Sequence, residues 1–252
     1  MLQTTMLHIK GADFDNDALT VIKDYKSLLA AHESCQGIWR FDVPEFINLD
    51  AQNGILSVES WKDNGPLLSF NAGAAKATLV SKAKGGTVAL VPSGTSYLAG
   101  VGAKINGILP YSIVVIAKPN SYAAQMAIAG APVGAGGGNI RVESLTGSSP
   151  LMRNVRGAAL PNTPVLDAAS PVAFIASYDG TLTRATNMFA GSSTSATAVT
   201  STSVLDFLLG SSGLYPFAGE VDLVALFSQD VTQDAALYTN LKAFAKMRLA
   251  RL

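Results

Sequence analysis

Histidine and cysteine are almost missing from this chain. Its 252 residues hold two His and one Cys. A structural or catalytic zinc site needs three or four such ligands at fixed spacing, so conventional zinc chemistry is excluded. Cys35 has no second cysteine to pair with, which fits folding in a reducing cytoplasm. A Ser-His-Asp arrangement would have to borrow His8 or His32, both near the N-terminus. Charge is also scarce. Asp, Glu, Lys and Arg make up 14% of the chain, and 18 acids balance 18 bases. No basic stripe is available for nucleic acid. So few charges suit a subunit whose surface is covered by neighbours. Long apolar runs are lacking as well. The most apolar stretch, residues 108–117, is about half the ~20 residues of a membrane-spanning helix. The first ten residues show no basic segment followed by an apolar one, so a secretory signal is not expected.

What is present changes character along the chain. From Asp17 to His32 the apolar residues Ala18, Val21, Ile22, Tyr25, Leu28 and Leu29 recur at steps of three and four, predicting one helix capped by Asn16 or Asp17. From about Ile38 the pattern becomes short apolar runs between Gly, Pro, Asn, Ser and Asp. Tyr111–Lys118 is the clearest strand, β-branched and stopped by Pro119. Its apolar residues fall on both parities, which predicts cover on both faces. Further strands are predicted at residues 56–61, 87–91, 97–99, 125–129, 140–144, 172–178, 181–189, 204–209 and 220–227. Many short strands with turn chemistry between them predict a mainly β protein, a two-sheet antiparallel sandwich. A closing helix is predicted after Thr232, its N-cap, with Leu237, Tyr238, Leu241, Phe244 and Ala245 as the apolar face. The organisation is therefore an N-terminal extension, residues 1–37, for assembly or anchoring, and a sandwich, residues 38–252.

The order of landmarks resembles the concanavalin A-like, laminin-G-like jelly-roll modules of bacteriophage tail and head structural proteins. The matching pieces are Trp61-Lys62-Asp63-Asn64-Gly65, Ser93 to Leu98, the strand at Tyr111, Ser177-Tyr178-Asp179-Gly180, Leu209-Gly210, and Phe217 to Phe227 followed by a helix. The resemblance implies a lectin-like sandwich used for assembly or adhesion. It implies a virion protein synthesised in the host cytoplasm, a homo-oligomer with the trimer favoured, in contact with other virion proteins. Recognition of host surface glycans is the alternative. Neither nucleic acid nor membrane insertion is expected.

Five sets of residues are candidates for chemistry. Trp39, Trp61 and Tyr122, if exposed, offer aromatic faces for sugars to stack on; core aromatics are the plainer reading. Asp13, Asp15, Asp17 and Asp24 fall at positions one, three, five and twelve of a calcium loop. Ala18 stands where such a loop needs Gly, so an acidic helix start is the leading reading and calcium the alternative. Glu220-Val221-Asp222 copies the first half of the Glu-x-Asp-x-x-Glu strand of sandwich glucanases, but Ala225 replaces the second acid. Gly134 to Gly138 lacks the Lys-Ser/Thr of a phosphate loop. The densest basic segment, Arg141 to Arg156, reads as ordinary surface arginines. On these grounds the chain is expected not to be an enzyme, and to need no cofactor unless calcium binds.

Overall fold

The computed structural model describes residues 24–252 except 71–74, 93–96, 123, 132–139, 146–149, 198–203 and 211–214. The strands in chain order begin with β1 (Cys35–Arg40), β2 (Ile47–Leu49), β3 (Ile55–Val58), β4 (Leu67–Phe70), β5 (Thr78–Ser81) and β6 (Thr87–Val91). Next come β7 (Tyr97–Asn106), β8 (Tyr111–Pro119), β9 (Met126–Gly130), β10 (Ile140–Leu145), β11 (Leu151–Arg156) and β12 (Asn162–Pro164). The last are β13 (Val172–Tyr178), β14 (Leu182–Asn187), β15 (Ser192–Thr197), β16 (Val204–Gly210) and β17 (Gly219–Phe227), followed by helix α1 (Ala235–Leu249).

They form two antiparallel sheets packed face to face, the expected sandwich. Sheet A runs β15-β14-β13-β8-β17-β6-β5, with β1 also on β17; sheet B runs β12-β11-β10-β9-β16-β7-β4-β3-β2. The double parity of β8 is explained by its position. Ile113, Val115 and Ala117 enter the inter-sheet core, whereas Val114 and Ile116 face α1. A strand covered on both faces has no reason to alternate with polar residues.

Strand β17 is paired along its whole length to β8, but its other edge is shared. β6 takes Gly219–Val221 and β1 takes Leu223–Phe227. The handover falls at Asp222, inside a bulge, where the Phe41 N–H reaches the Asp222 carbonyl at 3.0 Å.

Helix α1 closes the outer face of sheet A. Leu237, Leu241, Phe244 and Ala245 pack on Ile116, Ile175, Ala225 and Phe227. Its N-cap is Asp234, whose carboxylate accepts from Leu237 N at 2.9 Å. This corrects the expected cap at Thr232. Thr232 lies in a preceding 3-10 turn, and its own hydroxyl is spent donating to Asp230 at 2.7 Å.

Of the helix expected from Asp17 to His32, the part before Asp24 lies outside the described residues. Asp24 accepts from Lys26 N at 3.0 Å and opens a π-helical turn, Lys26–Ala30. Leu29 is buried there, and Tyr25 meets the Phe244 ring at 5.3 Å between centroids. Cys35, expected in the extension, is the first residue of β1. Within the Ser/Thr-rich stretch, Ser192–Thr197 is β15, at the edge of sheet A.

Candidate functional site: the charged cluster of sheet B

The structure disperses the aromatic candidates. Trp39 is 0% exposed, lies flat on Phe207 (5.3 Å, 12°) and donates from Nε1 to the Pro66 carbonyl at 2.9 Å. It is a core residue, which corrects its reading as a sugar platform. A Cβ on Gly37 would lie 2.8 Å from that ring, so glycine is needed there for the indole to fit. Trp61 sits on the other side of sheet A, half-buried in a three-way contact with the Arg40 guanidinium (4.3 Å to the ring centroid) and the Phe244 ring (5.4 Å), which also meet each other at 5.5 Å. Tyr122 is half-buried against the inter-sheet core, and burial pushes its hydroxyl up to about 12.

Of the four aspartates, Asp13, Asp15 and Asp17 lie outside the described residues. Asp24 spends its carboxylate on Lys26 N, Ser27 N and the Ser27 hydroxyl. Among the described residues no group of three His, Cys, Asp or Glu is arranged to hold a metal. Glu220 is taken by Lys82, with both oxygens at 2.7 Å from Nζ. Asp222 is buried and gripped by Arg248 through Nε and Nη2; burial pushes its carboxyl up, and Arg248 pulls it back. Arg248 also bonds Asp42, so this network ties α1 to the sheet. Burial pushes the Cys35 thiol up to about 11, which keeps it protonated and unreactive. His32 faces Ser34 and Asp234 at the helix junction.

The segment read as surface arginines is where the structure gathers polar side chains. Ile140 and Val142 of β10 enter the inter-sheet core, so Arg141 and Glu143 face the outer side of sheet B. In the antiparallel register Arg153 of β11 stands opposite Glu143. Small residues on β9 stand opposite on the other flank, with Ala127 beside Glu143 and Gly130 beside Arg141. Gly130 has φ +142°, and a Cβ on it would strike the Ile140 carbonyl at 2.3 Å.

Glu143 is 0% exposed. A buried carboxylate is tolerated only when it is paired and fully hydrogen-bonded. Here Gln125 Nε2 donates at 2.7 Å and Arg141 Nε at 2.8 Å to one oxygen. Arg153 donates to the other oxygen through Nε at 2.5 Å and through Nη2. The Tyr215 ring lies 5.1 Å from the Arg141 guanidinium, on a left-handed backbone at φ 59°. Arg141 Nη1 is buried with no acceptor among the described residues. Arg153 keeps 17% of its side chain exposed, at the rim. The cluster is thus a rigid fan of donors pinned by one carboxylate, a layout suited to hydroxyl and carboxylate groups of a ligand. Arg156 departs from this face. Three residues beyond Arg153, it points into the inter-sheet core and stacks on Tyr178 at 3.6 Å. The sequence did signal the cluster, as Arg-x-Glu on one strand and Arg on the next, but only the register shows that they meet.

No family model matches the chain, and no curated protein matches it. Solved structures do. An arabinofuranosidase complexed with arabinofuranosyl-α-1,2-xylobiose aligns with TM-score 0.59 over 77% of this chain and 51% of that one, at 11% identity. A Trypanosoma rangeli sialidase in complex with sialic acid aligns with TM-score 0.56 over 89% of this chain and 37% of that one, at 12% identity. Domain 4 of AbnA, a GH43 extracellular arabinanase from Geobacillus stearothermophilus, in complex with arabinotriose, aligns with TM-score 0.52 over 84% of this chain and 98% of that one, at 12% identity. The chain therefore spans about half of the arabinofuranosidase chain, just over a third of the sialidase chain and nearly all of domain 4. At such identities the likeness is one of fold. It corrects the expectation that the chain is not an enzyme, because glycosidases are among the proteins that share this sandwich. That expectation leaned on the scarcity of His and Cys and on Ala225 in place of the second acid after Glu220-Val221-Asp222, and that motif covers only one arrangement of the carboxylate pair glycoside hydrolysis uses.

Proposed function

We propose that the protein binds carbohydrate on the outer face of sheet B, through Gln125, Arg141 and Arg153, which Glu143 holds in place. The observation that carries this reading is the buried Glu143, held from both sides by arginine on the face opposite α1. Donors fixed in advance lose little freedom when a sugar hydroxyl replaces water. The neighbour matched over 98% of its length is a domain in complex with arabinotriose, which supports a sugar as ligand. Attachment of a bacteriophage particle to a glycan-coated host is one setting for such a lectin, and it rests on the landmark resemblance alone.

The test is titration calorimetry of the chain with arabinotriose and a panel of plant and animal oligosaccharides. Binding is expected for at least one glycan. Arg153→Ala should weaken it by about tenfold or more, the scale of one lost charge-assisted hydrogen bond. The same mixtures are followed by chromatography, so that any cleavage is seen directly. A panel with no heat change at millimolar sugar would sink the reading, as would an Arg153→Ala variant of unchanged affinity.

A further inference from the structure

We propose that the sugar taken at this site is an acidic one, its carboxylate seated on the Arg141 and Arg153 guanidiniums. The inference rests on the carbohydrate reading and narrows it to a ligand class. Its ground is a charge count at one place. Two guanidiniums converge on one carboxylate, and each of these arginines has Glu143 as its only ion-pair partner among the described residues. One positive charge is left over. It lies where water is mostly excluded, since Glu143 is 0% and Arg141 6% exposed.

An uncompensated charge at such a depth is costly, and a second carboxylate removes the cost. Both oxygens of Glu143 are already engaged, so Glu143 cannot supply the missing acceptor. Arg141 Nη1 is buried without an acceptor among the described residues, and Arg153 reaches the surface beside it on the neighbouring strand. A neutral sugar offers hydroxyls to these donors but leaves the charge in place. A uronic or sialic acid meets both needs, because planar guanidinium edges match a carboxylate.

The experiment is calorimetry of the full chain with three probes: trigalacturonic acid, sialyl-lactose and the neutral arabinotriose. Each is titrated in about 25 mM and about 250 mM NaCl, a range over which screening of exposed charges changes markedly. At low salt at least one acidic probe is expected to bind about tenfold more tightly than arabinotriose, with the gap narrowing at high salt. Which acidic probe wins separates uronic from sialic acid. Arg153→Gln should weaken the acidic probes by about tenfold and arabinotriose by clearly less, so that the gap closes. If that variant does not fold, Gln125→Glu serves instead. It adds a negative charge beside Glu143, which cancels the positive charge left over and should erase the preference. Equal or tighter binding of arabinotriose by the unaltered chain overturns the acidic-sugar inference and leaves the carbohydrate reading standing. Binding of none of the three, with the wider panel also silent, overturns both.

Discussion

Trp39 shows how one residue type supports opposite readings until its neighbours are known. An exposed indole is a sugar platform, and a buried one is a packing centre. Here the ring lies on Phe207, its N–H is satisfied by Pro66, and Gly37 leaves room for it. Trp39→Ala would open a large cavity between the sheets. Loss of about 3–5 kcal/mol is expected on that ground, read as a lower urea midpoint. A shift below about 1 kcal/mol would show that the indole is dispensable. The arginines teach the reverse lesson. Arg141, Arg153 and Arg156 look alike in sequence, yet two face outward around Glu143 and the third stacks on Tyr178 inside. Parity along a strand separates Arg153 from Arg156, but only cross-strand register brings Arg153 to Glu143.

At the scale of elements, what was legible is what local periodicity encodes. β8, β13 and β17 are strong apolar runs, and α1 has a clear apolar face, so they could be read directly. β2, β4 and β12 are three or four residues long, too short for a period to emerge, and β15 is a Ser/Thr strand without hydrophobic contrast. Those strands exist because a neighbour supplies their hydrogen bonds, which is tertiary information. The start of α1 was misplaced for a related reason. Thr232 and Asp234 are both good caps, and the choice was settled when Asp230 captured the Thr232 hydroxyl. Asp234→Ala should therefore destabilise the fold by about 1 kcal/mol, while Thr232→Ala costs less. Equal costs in urea melts of the two variants would contradict this assignment. The candidate site was legible in composition, as the densest basic segment, and illegible in geometry, because sheet order had to be known first.

For the whole molecule, the balance of 18 acids and 18 bases makes acid the informative stress. Hydrogen bonds hold several aspartates below their ordinary value. The Lys76 ammonium does so for Asp50, the Ser27 hydroxyl for Asp24, the Ser170 hydroxyl for Asp167 and the Leu237 N–H for Asp234. A carboxyl lowered in the folded state adds stability above the unfolded value of about 3.8, and that contribution fades as pH falls through the folded value. Asp222 has the opposite sign. Burial raises its carboxyl, so its contribution is present at low pH and fades as pH rises. The lowered aspartates stand at turns and helix starts spread over the sandwich, each a small term. Their sum is joined below pH 4 by a second effect. Protonated carboxylates leave the 18 lysines and arginines uncompensated, and the fold then works against its own charge. The urea midpoint should be nearly flat from pH 8 to about 5 and fall steadily below about 4. A midpoint that rises on acidification would mean that Asp222 outweighs the turns and caps together. It would place the pH response of the fold at the buried Arg248 junction between helix and sheet.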